Sequence, residues 1–423
     1  MSRLMIRGAR VMDPSQKLDE KRDVLVEDGV IASLTPNPSV DGVQVIDASG
    51  LVCAPGLVDM HVHLRDPGQT EKETIETGCS AAAAGGVTSL ACMPNTSPVC
   101  DHPAVVGDIV ARAANARARV YPVAAVTASL GGERLTDFSA LKAAGAVAVS
   151  DDGRPVPTAG RMLDTLRAAR ASGLPVLSHC EDLTLTRGGV MNEGEVSRAL
   201  GVPGIDRAAE EAATAREIAL SAASGLPVHI CHVSTAGSVA LIRDARRRGV
   251  PVTGETAPHY FLLTDEALRG QDADYRMNPP LRTQRDVDAV IEGLKDGTLS
   301  AIATDHAPHT PQEKADFLSA PNGAIGLETS LAAGITALVA PGHLPLMRLL
   351  SLMSTEPAQL LGIPGGTLVP GSPADLVLFD PEEAWTVSPD ALHGKSRNTP
   401  FKGMTLLGRV KTTILGGRIV FPY

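Results

Sequence analysis

Eight apolar segments, separated by stretches rich in Ala, Leu, Arg and Glu, set the strongest limit on how this chain can fold. They are GLVDMHVH (56–63), VTSLACMP (87–94), RVYPVAAV (119–126), AVAVSDD (146–152), LPVLSHC (174–180), LPVHICHV (226–233), VPVTGETAPHY (250–260) and LSAIATDHAPH (299–309). Helical patterns fall between them, for example over Ala159–Ser172, Arg207–Ser224 and Ser238–Arg248. Gly173, Gly225 and Gly249 each stand just before a strand segment, where a helix ends. Eight β/α units in roughly 300 residues predict a closed (β/α)8 TIM-like barrel. A doubly wound sheet would need a glycine-rich phosphate loop after its first strand. That position holds HVHLRD instead.

Both ends of the chain read differently. LMIRGARVMD alternates, DVLVEDGVIASL carries an Asp28-Gly29 turn, and VQVIDASGLVCAPG ends at Pro55-Gly56. The last sixty residues repeat that texture, with ADLVLFDP and a Gly416-Gly417 turn. We therefore expect residues 1–54 and 366–423 to build one small β-sandwich, and 55–365 the barrel. Aromatic residues make up only 3%, so Ala, Val, Leu and Ile must fill the core.

A net charge of −10 argues against general nucleic-acid binding, which wants a basic face. No signal peptide is read at Met1-Ser2-Arg3, and no run approaches the ~20 apolar residues of a membrane span. The six cysteines show no CxxC pair, which fits reduced thiols and a cytoplasmic location. Cys180 and Cys231 each neighbour a histidine, but strand alternation should turn both toward packing.

In such barrels chemistry sits at the carboxyl ends of the strands. Those ends carry His61, His63 and Arg65; Asn95; Asp151 and Asp152; His179; His232; Glu255 and His259; Asp305 and His309. His61 and His63 are two residues apart, so on a strand they share a face. One apolar strand ending in His or Asp is unremarkable, but five in one chain converge on the axis. Imidazole nitrogens with carboxylate oxygens suit Zn²⁺, and also Mn²⁺, Fe²⁺ or Co²⁺. The number of candidates points to an open catalytic site or a two-metal site. Of Asp151 and Asp152, one can ligate while the other caps a turn. His229 has the opposite parity to His232 and is expected to face the helices in a structural role. His102, His343 and His393 are expected on the surface. Glu255 reads most simply as a buried partner of an arginine; for His259, wall and site roles stay open.

GLVDMHVHLRDPG, MPNT, SDDG, HCED, NEGE, CHVST, NPPLR, ATDHAPH and KSRNTPF together resemble the dihydroorotases of the long bacterial type, in the amidohydrolase superfamily. The resemblance spans essentially the whole chain. It implies reversible interconversion of N-carbamoyl-L-aspartate and L-dihydroorotate in pyrimidine synthesis, with one or two Zn²⁺ per chain. It also implies roles. His61 and His63 resemble ligands of a first metal, His179 and His232 those of a second, and Asp305 a ligand that is also the catalytic base. Arg65, Asn95 and His309 resemble residues binding the substrate carboxylate, and Asn278 one contacting the ring. Many ring-opening relatives bridge two metals with a carboxylated lysine on strand 4; here Asp152 stands in that place and Lys142 lies in the preceding helix. A homodimer and a complex with aspartate transcarbamoylase are the assemblies the resemblance brings in. Two other readings compete: a ligand-poor scaffold subunit, disfavoured because every ligand position is filled, and another cyclic amidase, disfavoured by the missing lysine. The loop 310–326 follows His309 and is broken by Pro311, Pro321, Gly323 and Gly326. It is expected to be either a lid at the site mouth or an ordered connection anchored by Phe317 and Leu318.

Overall fold

The computed structural model describes residues 3–35 and 42–422; residues 1–2, 36–41 and 423 of the expected β-rich ends lie outside the described residues. All eight expected strand segments form strands of one parallel barrel. In order they are Leu57–Val62, Val87–Cys92, Arg119–Ala125, Ala148–Ser150, Leu177–Ser178, Val228–Ile230, Val252–Thr256 and Ala301–Ile302. The first four pair in sequence, as do the last four. Parallel bridges Val149–Val176 and Val62–His306 join the two halves and close the ring.

Helices cover the outside. The expected helix Ala159–Ser172 starts where Thr158 accepts a hydrogen bond from the Arg161 amide, and stops at Gly173 with φ 65°. Ala208–Ser224 ends in the same way at Gly225, φ 68°. Only glycine adopts that left-handed conformation freely, so these two positions turn the chain back into strands. The barrel axis is filled by Val58, Met60, Ala91, Met93, Val123, Ala148, Leu177, Cys231, Ala301 and Ala303. Small residues dominate, so each larger one matters; Met60→Ala would cost about 2–5 kcal/mol as transfer plus cavity.

The two termini share one β-sheet of eight strands. Leu376–Thr386 pairs with Val52–Pro55, which pairs with Arg3–Asp13. At the far edge Val30 bridges Pro373, just before Leu376, so the sheet curls around its own core of Ile6, Val11, Val24, Ile31, Leu376 and Ile414. The two expected turns are two-residue hairpins, between Glu27 and Val30 and between Leu415 and Arg418. Arg119 and Asp375 tie this sheet to barrel strand 3 through paired hydrogen bonds of 2.8 and 3.1 Å.

Candidate metal centre

The site is built where strand geometry breaks. Along barrel strand 1, Val58 and Met60 face the axis and Leu57 and Val62 face the helices. The pairing register shifts between Asp59 and Val62. Such a bulge re-aims side chains, and it delivers His61 and His63 to the axis above Met60. Asp305 and His232 adopt φ of 49° and 36°, a left-handed conformation uncommon outside glycine. Buried Asp59 braces the corner, accepting hydrogen bonds from Thr304 N, Thr304 Oγ1 and His61 N.

Four imidazoles surround one carboxylate. Asp152 Oδ1 lies 3.3 Å from His61 Nε2, 3.5 Å from His179 Nδ1 and 3.6 Å from His232 Nε2. Its Oδ2 lies 3.5 Å from His63 Nε2. Asp305 Oδ1 lies 3.1 Å from His63 Nε2 and 3.7 Å from His61 Nε2. His179 Nδ1 and His232 Nε2 are 2.8 Å apart. All six side chains are buried. Burial would lower the His61 pKa, but the Asp152 charge outweighs it and raises the pKa well above its ordinary value. His179 follows the same balance and is raised to about 10 by Asp152 and Glu181. Asp152 and Asp305 are held below the usual carboxylate range, because the imidazoles outweigh the effect of burial. This field collects positive charge.

A divalent cation fits it. His61 Nε2 and Asp152 Oδ1 are buried and without a hydrogen-bond partner. Ligand atoms of His61, His63 and Asp305, and of His61, Asp152 and His232, lie within 4.8 Å of one another in each group, so His61 is shared. Nitrogen and carboxylate donors suit zinc and its first-row neighbours. A third group, His61, Cys231 and Glu255, is less suitable. Burial pushes the Cys231 thiol up to about 12, so it stays protonated.

The remaining sequence-predicted residues gather at the same mouth. Arg65 is buried; its Nε donates to Pro308 O (3.2 Å), and its Nη2 lies 3.4 Å from His309 Nε2. Burial and the Arg65 charge lower His309 to about 3, so this imidazole is neutral. Asn95 Oδ1 meets His63 Nδ1 at 2.9 Å, which engages its amide oxygen with a metal-site imidazole. Asn278 donates to Glu181 Oε2 at 3.0 Å and leaves its own Oδ1 buried and unpartnered. His259 is buried and lowered to about 4 by desolvation, hence neutral.

Several sequence expectations need correction. Asp151 caps, as one of the pair had to: it accepts from Thr127 N and Oγ1. His229, however, does not face the helices. It lies with Cys231 on the inner face, its Nε2 3.4 Å from Glu255 Oε2; the φ of His232 breaks the alternation on which the parity argument rested. Among the described residues Glu255 meets no arginine. It accepts from His61 Nδ1 at 2.9 Å, and its pKa falls to about 2 because the neighbouring His229 and His61 outweigh the effect of burial. Cys231 packs in the axis core and Cys180 outside it. Lys142 donates to Ser172 O and Gly173 O, in the helical layer. His102, His343 and His393 are exposed as expected. Sequence reading overlooked Glu181, whose Oε2 accepts from both His179 Nε2 (3.1 Å) and Asn278; its place two residues after His179 was the available signal.

Loop 310–326 is tied down at several points. Lys314 Nζ donates to Ala273 O, Arg276 O and Pro321 O at 3.0, 3.3 and 2.9 Å. Arg276 Nη1 donates to Phe317 O and Leu318 O. The Phe317 side chain is buried, whereas Leu318 is 56% exposed and contributes its carbonyl rather than its side chain.

Residues 50–238 match the family model described as dihydro-orotase-like. A dihydroorotase of Geobacter metallireducens is 53% identical over 421 residues, covering 99% of each chain. One of Pelotomaculum thermopropionicum is 51% identical over 419 residues, covering 99% of this chain and 98% of its own. Among solved structures, the L-hydantoinase (dihydropyrimidinase) of Arthrobacter aurescens superposes with a TM-score of 0.89 at 26% identity, over 99% of this chain and 96% of that one. The dihydropyrimidinase of Brevibacillus agri gives 0.85 at 27%, over 99% and 94%. Half of all positions shared end to end with such relatives, on a barrel that gathers His61, His63, Asp152, His179, His232 and Asp305 in one cluster, leave one conclusion: the chain belongs to the dihydroorotase family.

Proposed function

We propose that this chain is a dihydroorotase, interconverting N-carbamoyl-L-aspartate and L-dihydroorotate, with Zn²⁺ as its metal. The observation that carries the reading is the Asp305 carboxylate, 3.1 Å from His63, with the buried Arg65 close enough to feel its charge. His61, His63, Asp152, His179, His232 and Asp305 would hold one or two ions. When bound, zinc supplies Lewis acidity and lowers the pKa of water to about 7. Asp305 is ionised, so at its carboxylate it can accept a proton and return it to the ring nitrogen. Arg65 binds the substrate carboxylate, since a guanidinium offers two parallel donors. Neutral His309 and Asn95 complete that carboxylate pocket, and Asn278 offers its free Oδ1 to a ring N–H. In the cyclising direction the same groups work in reverse.

The division at 54/55 and 365/366, a cytoplasmic location, and assembly as a homodimer or with aspartate transcarbamoylase belong to the same reading. Among the described residues no helix is long and apolar enough to cross a membrane. Metal analysis beside an assay on L-dihydroorotate, with and without aspartate transcarbamoylase, tests the reading. We expect turnover that follows bound metal and disappears in Asp305→Asn. A fully active Asp305→Asn would remove Asp305 from the chemistry.

A further inference from the structure

His61 is the residue common to both candidate ligand groups, and only one of its nitrogens can face them. Its Nδ1 points the other way, 2.9 Å from Glu255 Oε1, in the barrel interior. Glu255 Oε2 in turn lies 3.4 Å from His229 Nε2, and His229 Nδ1 lies 2.8 Å from Thr253 Oγ1. Among the described residues neither His229 Nε2 nor Glu255 Oε2 has a hydrogen-bond partner, so the 3.4 Å between them is a charge contact flanked by two hydrogen bonds. One assignment of protons fits that row: Thr253 O–H donates to His229 Nδ1, His229 Nε2–H faces the Glu255 carboxylate, and His61 Nδ1–H donates to Glu255. His61 Nε2 is then left with its lone pair toward Asp152 and Asp305. The opposite tautomer would set a lone pair against Glu255 and leave Nε2 protonated, with no lone pair to offer the metal of the proposed function.

The row ends at a second opening. His229 and Thr253 line a cavity of about 600 Å³ at the start of barrel strands 5, 6 and 7, whereas the metal centre sits at their far ends. Its walls include Leu174, Val176, Val250 and Val252. We propose that Thr253, His229 and Glu255 form a positioning chain that fixes the tautomer and angle of His61, and that the chain is set from the floor of the barrel. None of the three needs to touch substrate. The inference rests on His61 being a metal ligand, as in the proposed function. Partners of this kind, one contact beyond the ligands, typically change metal affinity by about 10–100-fold.

The test is Zn²⁺ affinity of the full-length chain by chelator competition, with folding checked by circular dichroism. Glu255→Met should weaken binding by about 10–100-fold. It should lower kcat while leaving KM for dihydroorotate in place, since substrate contacts are untouched. His229→Ala should weaken binding less, and should open a hole continuous with the floor cavity. Added imidazole should enter it and restore affinity to His229→Ala, while the parent chain shows no gain. Thr253→Val, nearly isosteric and on the cavity wall, should shift affinity in the same direction and carries the test if Glu255→Met does not fold. His61→Ala is the control. Folded Glu255→Met, His229→Ala and Thr253→Val chains that bind zinc as tightly as the parent, beside a zinc-poor His61→Ala, would overturn the positioning chain alone. A His61→Ala chain with parental affinity would overturn the ligand reading and this inference with it.

Discussion

Replacing Asp152 by asparagine removes one charge from the centre of the cluster and almost no volume. The carboxylate lies 3.3 to 3.6 Å from four imidazole nitrogens. At 3.5 Å and an effective dielectric of about 20, one unit of positive charge held among them is stabilised by about 332/(20 × 3.5), or ~5 kcal/mol. The amide oxygen of asparagine keeps part of this attraction. Losing roughly half, about 2–3 kcal/mol, weakens metal binding by about 10²-fold. Chelator competition on the folded variant measures this directly. The same variant should lose activity at limiting metal and regain part of it when metal is raised. Parental affinity in Asp152→Asn would refute the placement of Asp152 as the hub and leave the four imidazoles to be explained otherwise.

Arg65→Lys should weaken dihydroorotate binding by roughly 1.4 kcal/mol or more, about tenfold in KM, because lysine cannot make two parallel bonds to a carboxylate; unchanged saturation would place Arg65 outside the substrate site. His393 is raised above its ordinary 6.5 by the Glu328 hydrogen bond, so the stabilisation from this pair is complete below pH 6.5 and fades as pH rises through the folded-state value. His393→Ala should therefore cost about 0.2–1 kcal/mol in acid and less in alkali by denaturant unfolding; an equal loss at both would contradict the sign. Lys314→Met removes two hydrogen bonds from loop 310–326 to its surroundings and one within the loop, and amide exchange in that loop should quicken while the barrel strands stay protected. Exchange unchanged from the parent would show that Phe317 and Arg276 hold the loop without it.

The barrel was legible because its signal repeats. Eight apolar runs, each ending in polar residues and divided by helical stretches, leave few alternatives, and the glycines at 173 and 225 mark their boundaries. The six side chains of the candidate cluster were legible as a group too, because His and Asp at the ends of buried strands have little else to do, and the fold brings them together. Parity was not. The bulge in strand 1 and the φ of His232 reverse which side chains face the axis, and no sequence pattern shows a bulge. His229 was misread for that reason; Glu255 was misread because its partner His61 lies 194 residues away, and both turned out to sit behind His61. Glu181 was missed because its partner Asn278 lies 97 residues away. Contacts at that separation come from closure of the ring, which local periodicity does not encode.

The proposed activity separates most sharply from that of the structural neighbours in substrate choice. The measurement is kcat/KM of the zinc-loaded chain, with aspartate transcarbamoylase present and absent, for L-dihydroorotate against dihydrouracil and hydantoin, which lack the carboxylate that Arg65 would bind. The account predicts ring opening of L-dihydroorotate by a large margin, with Arg65→Lys narrowing it. Turnover of dihydrouracil or hydantoin at equal or greater efficiency, or no turnover of dihydroorotate in either condition, would contradict it.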